Sequence, residues 1–381
     1  MTSREAYVIL NQLPGIGPVR VRQLVAAFGS VEAILAAPAA AFARVPGFGP
    51  KLAAALAGWR EQVDPAAELA QADRAGIRVV TQDDPAYPAA LRQLGDAPLV
   101  LYVQGDTAAL AAAGERGLAV VGTRRPSLYG ETVAARLAGA AAHAGLVIVS
   151  GLARGIDTVA HRSALEHRGQ TVAVIGSGLF NIYPEDNRGL AAEIAASGCL
   201  VSEQPLAARP DKRTFPMRNR IIAWLCPTTL VIEAATGSGA LITAEKAFAA
   251  GRRVAAVPGR IDSPQSQGCH ALIKRGAKLV EGLDDLLPDF TFLPGLAPAP
   301  ALPLTAGGAV PGQALCPEEA RICEVLAAGD VSLDELARHT GEPVHRLLAT
   351  LTGLELKRAV KQLPGRRFTR YPAGAGPVAP N

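Results

Sequence analysis

The chain has 381 residues, which at roughly 150 residues per domain points to two or three domains. Apolar residues make up 49% and charged residues 19%, a balance that excludes intrinsic disorder, and no charge-free apolar run approaches the roughly 18 residues of a membrane helix. The formal charge is only +4, so any affinity for a polyanion must come from where the charges sit rather than from their sum.

The start, MTSREAYVIL, has no basic stretch followed by an apolar one, so a cytoplasmic protein is expected. Residues 1–70 read as short helices punctuated by Pro and Gly, and they contain a repeat. LPGIGPVRVRQLVAAFG is echoed by VPGFGPKLAAALAG, so that Gly15 and Gly17 match Gly47 and Gly49. This is the pattern of a helix-hairpin-helix, SAM-like module, in which glycine lets the hairpin backbone approach closely and the following helix offers free amides to a phosphate. Arg20, Arg22 and Lys51 follow the hairpins. DNA contact and a purely structural packing role are both open for this module.

Residues 75–289 alternate apolar β-branched runs with helical stretches. LAVVG (118–122), LVIVSG (146–151), TVAVIGSG (171–178), CLVSE (199–203), TLVIEA (229–234) and RVAAVPG (253–259) read as strands covered on both faces. The alternation predicts an α/β fold with a doubly wound parallel sheet. It also places Gly122, Ser150, Gly151, Gly176, Ser177 and Gly178 at the carboxyl edge, where open α/β sheets take ligands. The first strand-to-helix turn, GTRRPS, is not GxGxxG, GSGLFN lacks the third glycine, and no Walker motif occurs, so no nucleotide cofactor is expected.

The edge loops are basic instead. Arg124 and Arg125 follow the first of these strands and Arg154 the second. Within Arg209–Arg220, five basic residues (Arg209, Lys212, Arg213, Arg218, Arg220) meet one acid, Asp211. Such loops ranged along one sheet edge suit a polyanion. Phe215, inside the basic loop, is the candidate for stacking a base; Phe180 is a further candidate, and Tyr183-Pro184 reads as structural. Signals for catalysis are sparse. Asp157 and His161 stand at i,i+4, and Glu233 and Glu245 flank the Gly-rich ATGSGALITA, where either glutamate could serve chemistry or merely orient the loop. Five cysteines, Cys199, Cys226, Cys269, Cys316 and Cys323, with no CxxC, read as reduced structural thiols rather than a metal site.

Residues 290–315 carry repeated Pro, Ala and Gly and read as a linker. In residues 316–371, Ser332 and Glu335 form a capping-box pattern opening LDELARHTG, and a second helix, VHRLLATLTGLELKRA, follows. Six basic residues (Lys357, Arg358, Lys361, Arg366, Arg367, Arg370) then occur with no acid between them. Residues 372–381 are expected to form a disordered tail.

VGTRRPSLYG, SGLARGIDTVAH, AVIGSGLFNIYPEDN, FPMRNRII and VIEAATGSGALITAEKAFAAGRRVAAVPG, in this order, resemble the motifs of the bacterial DNA-processing protein A (DprA/Smf) family over residues 80–285. The resemblance implies an extended Rossmann fold without a nucleotide cofactor, preceded by the helical module and followed by a winged-helix domain. It implies a homodimeric single-stranded DNA-binding protein, not an enzyme, that protects incoming DNA in natural transformation and loads the recombinase RecA. Carried over by motif, the DNA-binding residues are Arg124, Lys212, Phe215, Arg218, Asn219, Arg220, Gly237, Ser238 and Gly239, to which the charge pattern adds Arg125 and Arg154. Two departures from the family pattern are Ala223-Trp224-Leu225-Cys226 after RNRII and His270 in SQGCHALI. A competing reading also follows from resemblance. The core is similar to lysine-decarboxylase-like phosphoribohydrolases, which hydrolyse nucleotides, although their PGGxGTxxE signature is absent.

Overall fold

The structure is a computed structural model that describes residues 1–42, 44–290, 317–356, 359–363 and 367–370. The expected linker from residue 291 onward, Cys316, the basic Lys357, Arg358 and Arg366, and the expected tail lie outside the described residues. The chain divides into two units, Met1–Pro300 and Ala301–Asn381.

The first unit is built on a nine-stranded sheet. Its strands are β1 (Ile77–Thr81), β2 (Val100–Gly105), β3 (Gly117–Val121), β4 (Val147–Ser150), β5 (Thr171–Ile175), β6 (Cys199–Ser202), β7 (Thr228–Val231), β8 (Arg253–Ala256) and β9 (Lys278–Leu279), in the order β1-β2-β6-β5-β4-β3-β7-β8-β9. From β6 to β9 every pairing is parallel, as the near-continuous apolar runs require; β1 and β2 extend the sheet in antiparallel pairing and are not singled out by the sequence pattern. The order reverses between β3 and β7, which makes a topological switch point at their carboxyl ends.

Pleating sends alternate residues of each strand into different layers. Leu118 and Val120 of β3 pack with Val133, Leu137 and Ile156 from the helices Leu128–His143 and Ile156–Glu166. Ala119 and Val121 pack with Ile221, Ile222 and Ala240 from the helices Thr214–Leu225 and Gly239–Ala249. The amino-terminal helices do not stand apart from the sheet. Ile9, Leu24, Phe42 and Leu56 share one apolar cluster with Tyr102, Ile175 and Leu200. Two polar ties cross the same boundary: Asn11 Nδ2 donates to Glu203 O at 3.0 Å, and Leu206 N–H donates to Glu68 Oε1 at 2.9 Å. The repeat folds the same way twice. Gly15 and Gly47 take φ of 76° and 84°, and Gly17 and Gly49 each cap a helix whose first residue is proline, Pro18–Phe28 and Pro50–Ala57.

The second unit carries the helices Pro317–Val325, Leu333–Thr340 and Val344–Leu356 and a three-stranded sheet of β10 (Val331–Ser332), β11 (Val360–Leu363) and β12 (Arg367–Arg370), ordered β10-β12-β11. The predicted capping box is present: Ser332 Oγ accepts from Glu335 N–H, and the Glu335 carboxylate accepts from Ser332 N–H at 2.9 Å. Leu336, Leu347, Leu351, Leu354 and Phe368 form its core. Helices followed by an antiparallel hairpin are the winged-helix arrangement. Among the described residues no helix is long and apolar enough to cross a membrane.

Candidate nucleic-acid interface

Three segments at the carboxyl edge of β3, β4 and β7 enclose a groove of about 590 Å³ over the switch point. The first is the turn after β3. Glu233, buried just beyond β7, accepts both the Ser127 backbone N–H (2.9 Å) and its hydroxyl (2.7 Å), and the Glu233 carbonyl accepts Thr123 N–H at 2.7 Å. Ser127 Oγ in turn accepts Gly130 N–H at 3.1 Å, capping the helix Leu128–His143. The turn is thus pinned at both ends. Arg124 and Arg125 stand exposed at its crest, lining the groove, and neither pairs with a carboxylate among the described residues.

The second segment is Gly237-Ser238-Gly239, which opens the helix Gly239–Ala249. Gly237 has φ of 80°, a left-handed turn that a side chain would strain, and Ser238 caps the helix. No atom lies within 4 Å of where a Cβ would stand at Gly237 or Gly239. The open turn therefore presents the positive end of the helix dipole to the groove.

The third segment is the helix Thr214–Leu225. Thr214 Oγ1 donates to Gly176 O at 2.5 Å, which seats Phe215 over the end of β5, half-buried, with its ring centroid 5.6 Å from that of Tyr183. Asn219 lines the groove and reaches Gly239 O at 3.4 Å. Arg218 forms the floor. It is 5% exposed and donates to Gly151 O at 2.6 Å and to Val174 O. Asp157 lies beside it and accepts Gly151 N–H at 3.1 Å and Ala153 N–H at 3.3 Å. Burial lowers the Arg218 guanidinium to about 10 and raises the Asp157 carboxyl, and in each the opposite charge of the other works against the shift.

The structure therefore brings Arg124, Arg125, Phe215, Asn219, Gly237, Ser238 and Gly239 around one groove. Arg218 lines it too, but its side chain is largely buried, with Nη1 donating to two backbone carbonyls and Nε to Asn219 Oδ1, so it acts as a support in the groove floor. Arg220 corrects the expectation of a phosphate contact. It is 3% exposed and is consumed by Glu203 at 2.6 Å and Asp96 at 3.0 Å. Lys212 is exposed on the segment entering the third helix and has no ion pair among the described residues, but it does not line the groove. Arg154 lies at an adjoining small pocket and is paired with Asp186 at 2.7 Å.

Of the candidate acids and bases, His161 is fully buried, with Nδ1 2.7 Å from Thr171 Oγ1, and burial depresses it to about 3. Glu245 is bound to Arg275. Glu233 holds the turn at 123–127 rather than the Gly-rich loop it flanks. Sequence reasoning set Tyr183 aside as structural, whereas its ring stands beside Phe215. Its neighbours in sequence give no sign that it meets Phe215, 32 residues later in the chain.

The chain is similar to several known proteins. Residues 78–291 match the family described as DNA recombination-mediator protein A, residues 308–366 match the DprA winged helix domain, and residues 8–57 match the SAM-like helix-hairpin-helix tandem. Protein Smf of Synechocystis is 35% identical over 97% of this chain and 99% of its own length. DNA processing protein DprA of Streptococcus pneumoniae is 44% identical over 55% of this chain and 73% of its own. The X-ray structure of the Streptococcus pneumoniae DprA superposes with a TM-score of 0.67 at 35% identity, covering 76% of this chain and 98% of that one. DNA processing protein A from Helicobacter pylori, solved to explain its single-stranded DNA binding mode, superposes with a TM-score of 0.51 at 30% identity, covering 57% of this chain and 98% of that one.

Proposed function

The chain belongs to the DNA recombination-mediator protein A (DprA/Smf) family, and we propose on that premise that it binds single-stranded DNA in the switch-point groove and hands the strand to a RecA-type recombinase. The observation that carries this reading is convergence on one groove. Two arginines with no carboxylate partner among the described residues, a helix amino terminus opened by Gly237-Ser238-Gly239, and the ring of Phe215 face the same space. Arg124 and Arg125 neutralise phosphates in the groove, Lys212 neutralises one beyond its lining, Phe215 stacks a base, and phosphate and stacking contacts give little sequence preference.

The protein acts in this reading as a cytoplasmic homodimer that shields incoming DNA during transformation. A binding role is favoured over nucleotide hydrolysis by what the carboxylates do. Glu233 has both oxygens on Ser127, Asp157 Oδ2 takes two backbone amides, and Glu245 is held by Arg275, so each candidate acid already has a structural partner.

The test is fluorescence anisotropy of a labelled oligo-dT across a salt series, with a duplex alongside. Three phosphate contacts give a log-log slope of about −2, and an Arg124→Ala, Lys212→Ala double variant is expected to flatten it to about −0.7. A double variant with an unchanged slope, or a duplex bound as tightly as the single strand, overturns the reading. Faster RecA filament growth on single strands coated with a single-strand-binding protein tests the mediator step.

A further inference from the structure

Beyond Phe215 lies a second, smaller pocket of about 40 Å³, continuous with the groove through the shared residues Arg124, Ala153, Phe215 and Arg218. Its outer wall is Tyr183 and Arg154. Tyr183 is 44% exposed although its ring sits 5.6 Å from Phe215, at an interplanar angle of 41°. One side of the ring is thus supported by Phe215 and the rest is left open. Arg154 donates to a single Asp186 oxygen, Oδ2, from both Nε at 2.8 Å and Nη2 at 2.7 Å. Both partners of that pair are largely in water, with side chains 60% and 66% exposed.

We propose that this pocket is a second nucleotide subsite, in which Tyr183 is the platform for the base beyond Phe215, Arg154 is its phosphate contact, and Asp186 is a built-in competitor that occupies the arginine until a phosphate displaces it. The inference rests on the reading of the groove as a single-stranded DNA site.

The chemistry follows from the two partners. A guanidinium that closes two N–H donors on one carboxylate oxygen can close the same two donors on a phosphate oxygen. An exposed pair is cheap to open, so a strand already anchored at Arg124 can take over Arg154 with little loss. The exchange leaves the Asp186 charge uncompensated beside the incoming phosphate. Arginine and aspartate together add no net positive charge, so the subsite contributes almost nothing to the salt slope of the native protein. It contributes stacking instead, and it discriminates against duplex DNA, whose paired bases cannot open onto Tyr183. Phe215 separates the two positions, so a single strand follows Gly237-Ser238-Gly239, then Phe215, then Tyr183.

Anisotropy with a labelled oligo-dT on the full chain separates this proposal from the reading beneath it. Asp186→Asn frees Arg154 and is expected to tighten binding and to steepen the salt slope by about 0.7; the Arg154→Ala, Asp186→Asn double variant loses that gain. Tyr183→Leu keeps an apolar group against Phe215 but removes the ring, and is expected to weaken binding at least fivefold, on the order expected for one stacked base, while Tyr183→Phe binds as the native protein does. Circular dichroism confirms that each variant is folded.

If the Arg124→Ala, Lys212→Ala variant loses binding while Tyr183→Leu and Asp186→Asn bind with native affinity and slope, the subsite is refuted and the groove stands. If the groove variant also binds as the native protein does, the groove reading falls and the subsite falls with it.

Discussion

Arg218 is where the charge pattern and the fold disagree most, and replacing it with methionine separates the two accounts. As a phosphate contact, Arg218 would be removable at little structural cost. In the structure it is 5% exposed, bound to Gly151 O and Val174 O, and it faces the buried Asp157. Methionine preserves much of the stem but strips both carbonyls of a donor and leaves the Asp157 carboxylate without its cation. Leaving buried acceptors without a charged donor costs about 1–3 kcal/mol each, a sizeable share of a typical stability of about 5–15 kcal/mol.

The penalty has a pH signature. Burial already raises Asp157, and loss of the cation raises it further. An acid whose folded pKa exceeds its unfolded value binds its proton more tightly in the native state, so its contribution is fully present below the unfolded pKa and is lost as pH rises through the folded one. The deficit of Arg218→Met relative to the native protein should therefore shrink as pH falls, by at most about 1.4 kcal/mol per unit. An added Asp157→Asn removes the stranded charge and should recover at least about 1 kcal/mol at neutral pH. Urea denaturation followed by circular dichroism measures all of this. A single variant as stable as the native protein, with a flatter salt slope for oligo-dT, would show that Arg218 reaches a phosphate and that the buried-support argument is wrong.

Three further outcomes are expected. His161 is kept neutral by burial, with its pKa depressed to about 3, so the stability it contributes is fully present above about 6.5 and is lost as pH falls toward 3. His161→Gln should remove a slope of up to about 1.4 kcal/mol per pH unit from denaturation measured between about pH 6 and 4, and retention of the full slope would count against it. Glu233→Ala unties Ser127 from the turn that presents Arg124 and Arg125, so it should cost about 2 kcal/mol and weaken oligo-dT binding together, whereas Ser127→Ala should cost about 1 kcal/mol. Glu233→Ala with native oligo-dT affinity would show that the turn holds itself. A Cβ at Gly178 would lie 2.1 Å from Pro205 O and 2.2 Å from Leu206 O, both main-chain atoms, so Gly178→Ala should cost at least about 2 kcal/mol. Gly189, in the helix Arg188–Ser197 with nothing within 4 Å, should instead gain about 0.5 kcal/mol from the same change, and thermal unfolding compares the two.

Much of the molecule is legible in the chain because its signals are local. The apolar runs at 118–122, 146–151 and 171–178 become β3, β4 and β5, since a strand buried on both faces has to be apolar throughout. The repeated PGIG and PGFG yield two hairpins of the same geometry, and Ser332 with Glu335 closes a capping box, since each needs only residues a few positions apart. The basic turn at Arg124 and Arg125 and the Gly-Ser-Gly turn reach the carboxyl edge because strand-to-helix order alone puts them there.

What the tertiary structure decides is which of two similar residues faces the groove. In Arg218-Asn219-Arg220 the two arginines look equivalent, but at about 100° per helical residue they point some 200° apart. One turns under the groove to Gly151 and Val174, and the other turns away to Glu203 and Asp96. Phe215 meets Tyr183, and Arg154 meets Asp186, across 32 residues of chain in each case. Composition and periodicity are short-range properties, so they determine the elements and the edge at which their loops collect. Pairing across the fold is set by packing, which no local pattern encodes, and it alone determines which charges are already neutralised and which are left for a ligand.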